Sequence, residues 1–157
     1  MKIFTQQDVD AIQRDENGWL NYPTGDYSAI KTFGKGSSFG KESSFGTGSS
    51  FGEWSVFGEG SSFGAGCEFE GKGKAKGGYP LLSFGGLGRA NRTTYAFNLE
   101  SGIWIRCGCY LGTLKEFRAQ VTKTHNDNQF AREYLAIADL IQIKWEGNDK
   151  RTIYQQY

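Results

Sequence analysis

Phenylalanine returns at every sixth residue from Phe33 to Phe69, and glycine follows each of these phenylalanines except the last. The hexapeptides read FGKGSS, FGKESS, FGTGSS, FGEWSV, FGEGSS and FGAGCE, followed by the irregular FEGKGK. A period of six fits neither a helix nor a simple strand. The large first position and the small fifth position predict two inward-facing side chains per hexapeptide, in a coil of short strands and turns.

These columns resemble the hexapeptide repeat of left-handed parallel β-helices, in which an aliphatic residue is often followed by glycine and a small residue stands four places after the first. The resemblance covers about residues 33–76, but phenylalanine occupies the position where that family usually has Leu, Ile or Val. It implies a triangular coil of three hexapeptides, so residues eighteen apart should lie one above the other. With three rings in each layer, the rings either tilt and interleave or distort the coil.

The segments around the repeat predict other elements. Thr5 and Asp8 have the spacing of a capping box and predict a short helix that ends near Asn17 and Gly18. The stretch NYPTGDYS then predicts a loop, because Pro and Gly are typical turn residues. After the repeat, GKGKAKGGYPLLSFGGLGRAN predicts a glycine-rich basic connection.

The C-terminal part predicts a hairpin followed by two helices. Apolar residues alternate in TTYAFNLESGIWIRC around a turn at Glu100-Ser101-Gly102. Thr113 and Glu116 form a second capping box, which predicts a helix that ends at His125-Asn126-Asp127. A further helix is predicted over about residues 128–140, and the stretch IQIKW predicts a final strand.

Together these elements predict a mixed β and α fold. We expect a short left-handed parallel β-helix, capped by an N-terminal helix and a C-terminal α+β unit, with the handedness resting on the resemblance alone. The predicted domains are an N-terminal capping helix and loop (1–32), the hexapeptide β-helix (33–76), the Gly-rich basic connection (77–92) and the C-terminal α+β subdomain (93–157).

Charge and cysteine content narrow the function classes. The 18 lysines and arginines nearly balance the 17 aspartates and glutamates, so the chain as a whole has no charge signal for nucleic acid or an anionic membrane. Its apolar runs are too short to span a membrane, and the first residues do not resemble a signal peptide. An odd count of three cysteines argues against a disulfide framework. We therefore expect a cytoplasmic protein without a membrane partner.

Candidate catalytic and metal-binding residues are few. The β-helix resemblance implies an acyltransferase with a histidine base, but the only histidine, His125, lies outside the repeat, where a loop role is favoured. Cys67, Cys107 and Cys109 complete a Cys3His set with that histidine. Their spacing is unlike that of paired zinc ligands, which favours small buried residues instead. We assign no catalytic residue, no metal and no cofactor.

A basic stretch supplies the candidate ligand-binding residues. Five cations fall within about twenty residues that contain no acid: Lys72, Lys74, Lys76, Arg89 and Arg92. Such a cluster suits an anionic ligand or partner, and a flexible linker is the alternative. Trp54 stands at a variable, outward position of the repeat and is a further contact candidate, with burial against the C-terminal helices or another subunit as the favoured alternative.

The whole chain is also similar to a set of small proteins of bacterial prophages. The similarity rests on PTGDYS, on the FGxGSS units and on GIWIRCGCYLGTLKEFRAQV. Two short coils leave open ends and little core, which predicts a homo-oligomer, and a trimer by family analogy.

The expected function is that of a non-catalytic oligomeric binding protein in the bacterial host cytosol, which sequesters or inhibits a host defence component. A small anionic signalling molecule is the candidate ligand, and a host protein is the alternative partner. The alternative functions are a CoA-dependent acyltransferase that uses His125 and a structural phage component.

Overall fold

Contacts along the chain divide it into two units. The structure is a computed structural model and describes residues 1–77 and 79–147. The N-terminal unit contains Met1–Pro80 and Leu99–Ser101, and the C-terminal unit contains Leu81–Asn98 and the described residues from Gly102 onward. No helix among the described residues is both long enough and apolar enough to cross a membrane.

Short parallel strands build the N-terminal unit. They are β1 (Leu20–Tyr22), β2 (Asp26–Tyr27), β3 (Thr32–Phe33), β4 (Ser37–Phe39), β5 (Ser44–Phe45), β6 (Ser50–Phe51), β7 (Val56–Phe57) and β8 (Ser62–Phe63). In the described part of the unit they form three open sheets, with the orders β1-β4-β7, β2-β5-β8 and β3-β6.

The strand register confirms the expected eighteen-residue spacing. Phe33 lies beside Phe51 and Phe45 beside Phe63, so each residue pairs with the one 18 positions later. Between β1 and β4 the spacing is one residue shorter, since Tyr22 lies beside Phe39. Short parallel strands in stacked sheets at this spacing are compatible with a β-helix-like repeat.

Aromatic rings fill the interior of the N-terminal unit in three columns. Within a column the ring centroids lie 4.5–5.7 Å apart and the ring planes differ by 5–18°. Between columns the rings meet edge to face, as Phe45 and Phe51 do at 4.9 Å and 90°. Both arrangements are favourable for aromatic pairs. The rings therefore interleave, which is how three phenylalanines fit in each layer.

Glycine at the second position of the hexapeptide allows successive turns to stack. A Cβ atom built at Gly58 would lie 2.3 Å from the backbone nitrogen of Lys41, and one at Gly64 would lie 2.4 Å from that of Thr47. Both distances are far below van der Waals contact. A side chain at this position would therefore force two turns of backbone apart.

Serine at the fifth position satisfies a buried carbonyl group. Each serine hydroxyl donates to the glycine carbonyl three residues earlier, at 2.6–3.0 Å, in Ser37, Ser43, Ser49, Ser55 and Ser61. The Cys67 thiol makes the same contact with Gly64, at 3.1 Å. Cys67 is fully buried, and burial raises the pKa of its thiol. The small fifth residue is thus an interior hydrogen-bond donor, as the inward-facing prediction requires.

The N-terminal segment extends the stack. The predicted capping box is confirmed, and helix α1 (Gln6–Asp10) follows Thr5 but ends earlier than expected. The prediction of a loop over NYPTGDYS holds for residues 23–25 but not throughout, because β2 and the end of β1 lie on either side of this turn. Their residues Tyr22 and Tyr27 join the aromatic columns, and Phe4 stacks on Tyr27.

An antiparallel sheet and two helices form the C-terminal unit. The strands are β9 (Leu81–Phe84), β10 (Thr94–Leu99), β11 (Gly102–Cys107) and β12 (Tyr110–Thr113), in the order β12-β11-β10-β9. Helices α2 (Leu114–His125) and α3 (Gln129–Glu146) follow, and a short 3-10 helix covers Arg89–Asn91. The predicted hairpin and the second capping box are confirmed. The predicted final strand IQIKW is wrong, because α3 continues through it.

The core of the C-terminal unit lies where the two helices pack on the sheet. Ala96 and Ile105 from the strands and Phe117, Ile137 and Ile141 from the helices are all nearly inaccessible to water. The apolar residues of each helix recur at helical spacing and therefore share one face. The chain as a whole is a mixed α/β protein.

Candidate functional site

The three candidate lysines lie where the parallel repeat ends. Lys74 pairs antiparallel with Glu68, and the backbone amide of Glu100 donates to the carbonyl of Lys74 at 2.8 Å. The side chains of Lys72, Lys74 and Lys76 are exposed. This segment is held by backbone pairing within the N-terminal unit, so it is more than a linker.

Trp54 takes part in the structure of the repeat. It stands at the fourth hexapeptide position, and its positive φ of 62° is one that glycine adopts more easily. Its backbone amide donates to a carboxylate oxygen of Glu70 at 3.0 Å, and the Trp54 side chain is half-buried. The Glu70 residue is 3% exposed. These contacts fix the backbone of Trp54 at the end of the stack.

The two candidate arginines line a cleft in the C-terminal unit. The cleft has a volume of about 250 Å³. Its wall comes from the segment after β9, from the β11–β12 turn and from both helices. The lining residues are Arg89, Arg92, Cys107, Cys109, Tyr110, Phe117, Gln120, Val121, Thr124, His125 and Tyr134.

Local backbone geometry positions Arg89. Gly88 has a φ of +77°, and a Cβ atom there would lie 2.2 Å from the ring of Tyr134. The amide of Gly88 donates to a carboxylate oxygen of Glu133 at 2.8 Å, and the amide of Arg89 donates to the Tyr134 hydroxyl at 2.9 Å. Glycine thus allows the chain to lie against α3, which places Arg89 at the edge of the cleft.

Arg92 lies across the β11–β12 turn. A Cβ atom at Gly108 would lie 2.3 Å from Nη1 of Arg92, so the missing side chain leaves room for the guanidinium. Burial raises the pKa of the Tyr134 hydroxyl above its usual value, and the charge of Arg92 acts in the opposite direction without overcoming it.

Among the residues that the structure describes, neither arginine has a partner for its guanidinium. Within the described residues, no hydrogen bond or ion pair joins the side chain of Arg89 or Arg92 to another group. No aspartate or glutamate occurs among the described residues that line the cleft. The Glu133 carboxylate lies beside the cleft, bonded to the amide of Gly88, but in the described part of the chain the lining itself has two cations and no acid, an excess of positive charge that suits an anion.

Aromatic rings form much of the cleft. Tyr134 and His125 lie 5.7 Å apart between ring centroids, with their planes 31° apart. The Phe117 ring meets Tyr134 edge to face at 5.9 Å and lies 5.9 Å from Tyr110. Phe117 and Tyr134 are buried, whereas His125 is only half-buried. The cleft therefore combines the two arginines with four aromatic residues, Tyr110, Phe117, His125 and Tyr134, which we call the aromatic floor.

Two thiols complete the cleft. The Cys107 thiol donates to the Tyr134 hydroxyl at 3.7 Å and accepts from the Thr94 hydroxyl at 3.4 Å. Cys109 is exposed in the turn. No cluster of three or more His, Cys, Asp or Glu residues that could hold a metal ion occurs in the described part of the chain, so the Cys3His combination forms no such group there.

The sequence predicted Arg89 and Arg92 as ligand-binding residues but did not predict the apolar residues that line the cleft beside them. Phe117, Val121 and Tyr134 have helical spacing, which predicts core positions, and they are indeed buried. The same rings also border the cleft. No spacing signal in the sequence distinguishes a core ring from one that also lines a cavity.

Comparison with known proteins gives no relative, since no known family, no curated protein and no solved structure matches the chain. The class is therefore defined by the fold and the cleft. The chain is a mixed α/β protein with a β-helix-like repeat, and its C-terminal unit contains a cationic, aromatic cleft.

Proposed function

We propose that the protein is a non-catalytic binding protein that takes a small anionic ligand in the cleft of its C-terminal unit. In this proposal Arg89 and Arg92 bind the anion, and the aromatic floor contacts the rest of the ligand. By the prophage resemblance, the protein acts in the bacterial host cytosol and sequesters a host signalling molecule of a defence system.

One observation carries the proposal: within the part of the chain that the structure describes, two guanidinium groups without a partner border a cleft whose lining contains no acid. Arginine side chains bind phosphate and carboxylate groups through paired N–H donors, and such charge-assisted bonds are stronger than neutral ones. An anion in the cleft would provide both guanidinium groups with a counter-charge. A binding role follows more directly from this arrangement than catalysis does.

The repeat serves assembly in this proposal. We propose that the stacked strands are a left-handed β-helix and that copies of the chain form a homo-oligomer, with a trimer as the family analogy implies. The exposed strand edges of a short stack are suited to being covered by other chains. Light scattering would test the assembly, and a monomer would contradict it.

Calorimetry with anions tests the binding role. We expect inorganic phosphate, ribose 5-phosphate or nucleotides to bind, and we expect Arg89→Ala/Arg92→Ala to weaken binding about a hundredfold or more, because charged hydrogen bonds contribute about 1.5–3 kcal/mol each and the double variant removes both arginines. Raising the salt concentration should weaken wild-type binding. Arg132→Ala is the matched control, since Arg132 is exposed on α3 and does not line the cleft.

Two outcomes would refute the proposal. In the first, none of these anions binds to the wild-type protein. In the second, the double variant binds them as tightly as the Arg132→Ala control. Incubation with acetyl-CoA and an amine acceptor tests the acyltransferase alternative, because His125 also lines the cleft. Turnover that is lost in His125→Ala would favour the enzyme.

A further inference from the structure

We infer that the ligand of this cleft is a nucleoside monophosphate, with its phosphate at Arg89 and Arg92 and its base against the aromatic floor. The inference rests on the proposed function, because it names the ligand class of the same site. It adds two requirements that anion binding does not make: a planar ring and a limited size.

The requirement for a planar ring comes from the rings beside the arginines. The Tyr134 ring is only 5% exposed and lies behind the His125 ring, at a centroid distance of 5.7 Å and with the planes 31° apart, so His125 presents the accessible ring. His125 is half-buried, so part of its ring faces solvent. Aromatic side chains of this kind form the platforms on which nucleic-acid bases stack. A phosphate alone would leave this aromatic surface uncovered.

Polar groups that can contact the edge of a base lie on α2, the helix that also contains His125. Gln120 Nε2 donates to the hydroxyl oxygen of Thr124 at 2.8 Å, and both residues line the cleft. This bond uses one amide proton of Gln120 and leaves its carbonyl oxygen and second proton available within the described part of the chain. An amide with one donor and one acceptor can pair with the edge of a base.

The size of the cleft limits the ligand. Its volume of about 250 Å³ lies just below the range of about 300–1,000 Å³ that encloses drug-sized ligands. One nucleotide therefore fits with part of its surface exposed, whereas a dinucleotide or CoA would extend far beyond the walls.

Calorimetry with matched ligands tests the inference. The probes are AMP, GMP, CMP and UMP, with ribose 5-phosphate and inorganic phosphate as ligands that lack the base. Because stacking on an aromatic side chain is worth about 1–3 kcal/mol per base, we expect at least one nucleoside monophosphate to bind about fivefold or more tighter than ribose 5-phosphate. A cyclic dinucleotide should bind no tighter than that monophosphate.

Variants in the aromatic floor distinguish the contribution of the base to binding from that of the phosphate. His125→Ala should weaken nucleotide binding about fivefold and weaken the binding of ribose 5-phosphate by clearly less, whereas His125→Phe, which keeps a ring, should retain nucleotide binding. Gln120→Ala should change the preference among the four bases. Lys123→Ala is the matched control on α2, because Lys123 is exposed and does not line the cleft. Circular dichroism and thermal unfolding establish that each variant is folded.

The outcomes distinguish this inference from the proposed function. If ribose 5-phosphate binds as tightly as every nucleotide, the nucleotide inference is overturned while anion binding stands. Tighter binding of the cyclic dinucleotide would also overturn it, through the size requirement. If no anion binds to the wild-type protein, the proposed function fails together with the inference.

Discussion

The glycine at the second position of the hexapeptide gives the sharpest stability prediction, and Gly58→Ala tests it. Gly58 has a φ outside the left-handed region, so alanine can adopt its backbone conformation. The cost of the substitution must then come from the new Cβ atom. That atom would lie 2.3 Å from Lys41 N and 2.5 Å from Lys41 Cα in the adjacent turn.

The magnitude follows from these distances. Ordinary van der Waals contact begins at 3.4 Å, so the two turns would have to separate by about 1 Å. The hydrogen bond from Gly58 N to Phe39 O, now 3.0 Å, would then lengthen to about 4 Å and be lost. Overpacking costs about 1–3 kcal/mol and the lost bond about 0.5–1.5 kcal/mol. We expect Gly58→Ala to lower the free energy of unfolding by about 3 kcal/mol.

Gly48→Ala is the matched control. Gly48 has a φ of +73°, and nothing lies within 4 Å of a Cβ atom built there. Alanine at this position should lower the free energy of unfolding only by the cost of a left-handed backbone conformation, about 1–2 kcal/mol. Urea unfolding followed by tryptophan fluorescence and circular dichroism measures both variants. If Gly58→Ala destabilises the protein no more than Gly48→Ala does, stacking of the turns does not explain the glycine column.

Three further predictions concern the serine column, the thiols and the tyrosines. Ser49→Val should lower the free energy of unfolding by about 1–3 kcal/mol, because it removes the hydroxyl that donates to the carbonyl groups of Ile30 and Gly46, whereas Ser49→Cys should retain more stability in thermal denaturation. Equal losses would contradict this role. A thiol reagent should modify exposed Cys109 first, half-buried Cys107 more slowly and buried Cys67 only on unfolding, and mass spectrometry after short exposures would reveal a different order. Burial raises the pKa of Tyr27 above its usual value of about 10, so the neutral side chain stabilises the fold below that pH and this stability should fall as the pH rises further. Urea unfolding between pH 8 and pH 11 measures the decrease, and a constant midpoint would contradict it.

The sequence predicted the repeat well because each column has one physical role. Phenylalanine fills the interior, glycine allows the turns to stack, and the fifth residue donates an internal hydrogen bond. Tyr22 and Tyr27 extend two columns although neither is followed by glycine: Tyr27 lies six residues before Phe33, in phase with the period, whereas Tyr22 is one residue out of phase. Their segment contains Pro23 and Gly25, which are also typical of loops.

The wrong final strand has a similar cause. Ile141, Ile143 and Trp145 alternate with polar residues, which is the pattern of a half-buried strand. Tyr134, Ile137 and Ile141, however, continue the buried face of α3 at helical spacing. The longer helical pattern prevails, because the helix buries this face in the core of the C-terminal unit.

The candidate site was predictable only in its charges. Arg89 and Arg92 stand out as cations in a stretch without acids, and the structure places both at one cleft. The lysines at 72, 74 and 76 stand out equally, but they lie in the N-terminal unit at the end of the stack. Charge spacing along a chain cannot show which cations border a cavity, since that depends on how helices and turns pack.

The repeat itself leaves little room for recognition chemistry. The first, second and fifth positions of each hexapeptide are used by the interior and by stacking, and the fourth has a positive φ that favours glycine. The third position is exposed, and along the six hexapeptides it holds Lys, Lys, Thr, Glu, Glu and Ala. These charges cancel, so this column presents no surface of one sign that would select an anion. The C-terminal cleft, with two cations and an aromatic floor, offers the combination of charge and apolar surface that a small ligand requires.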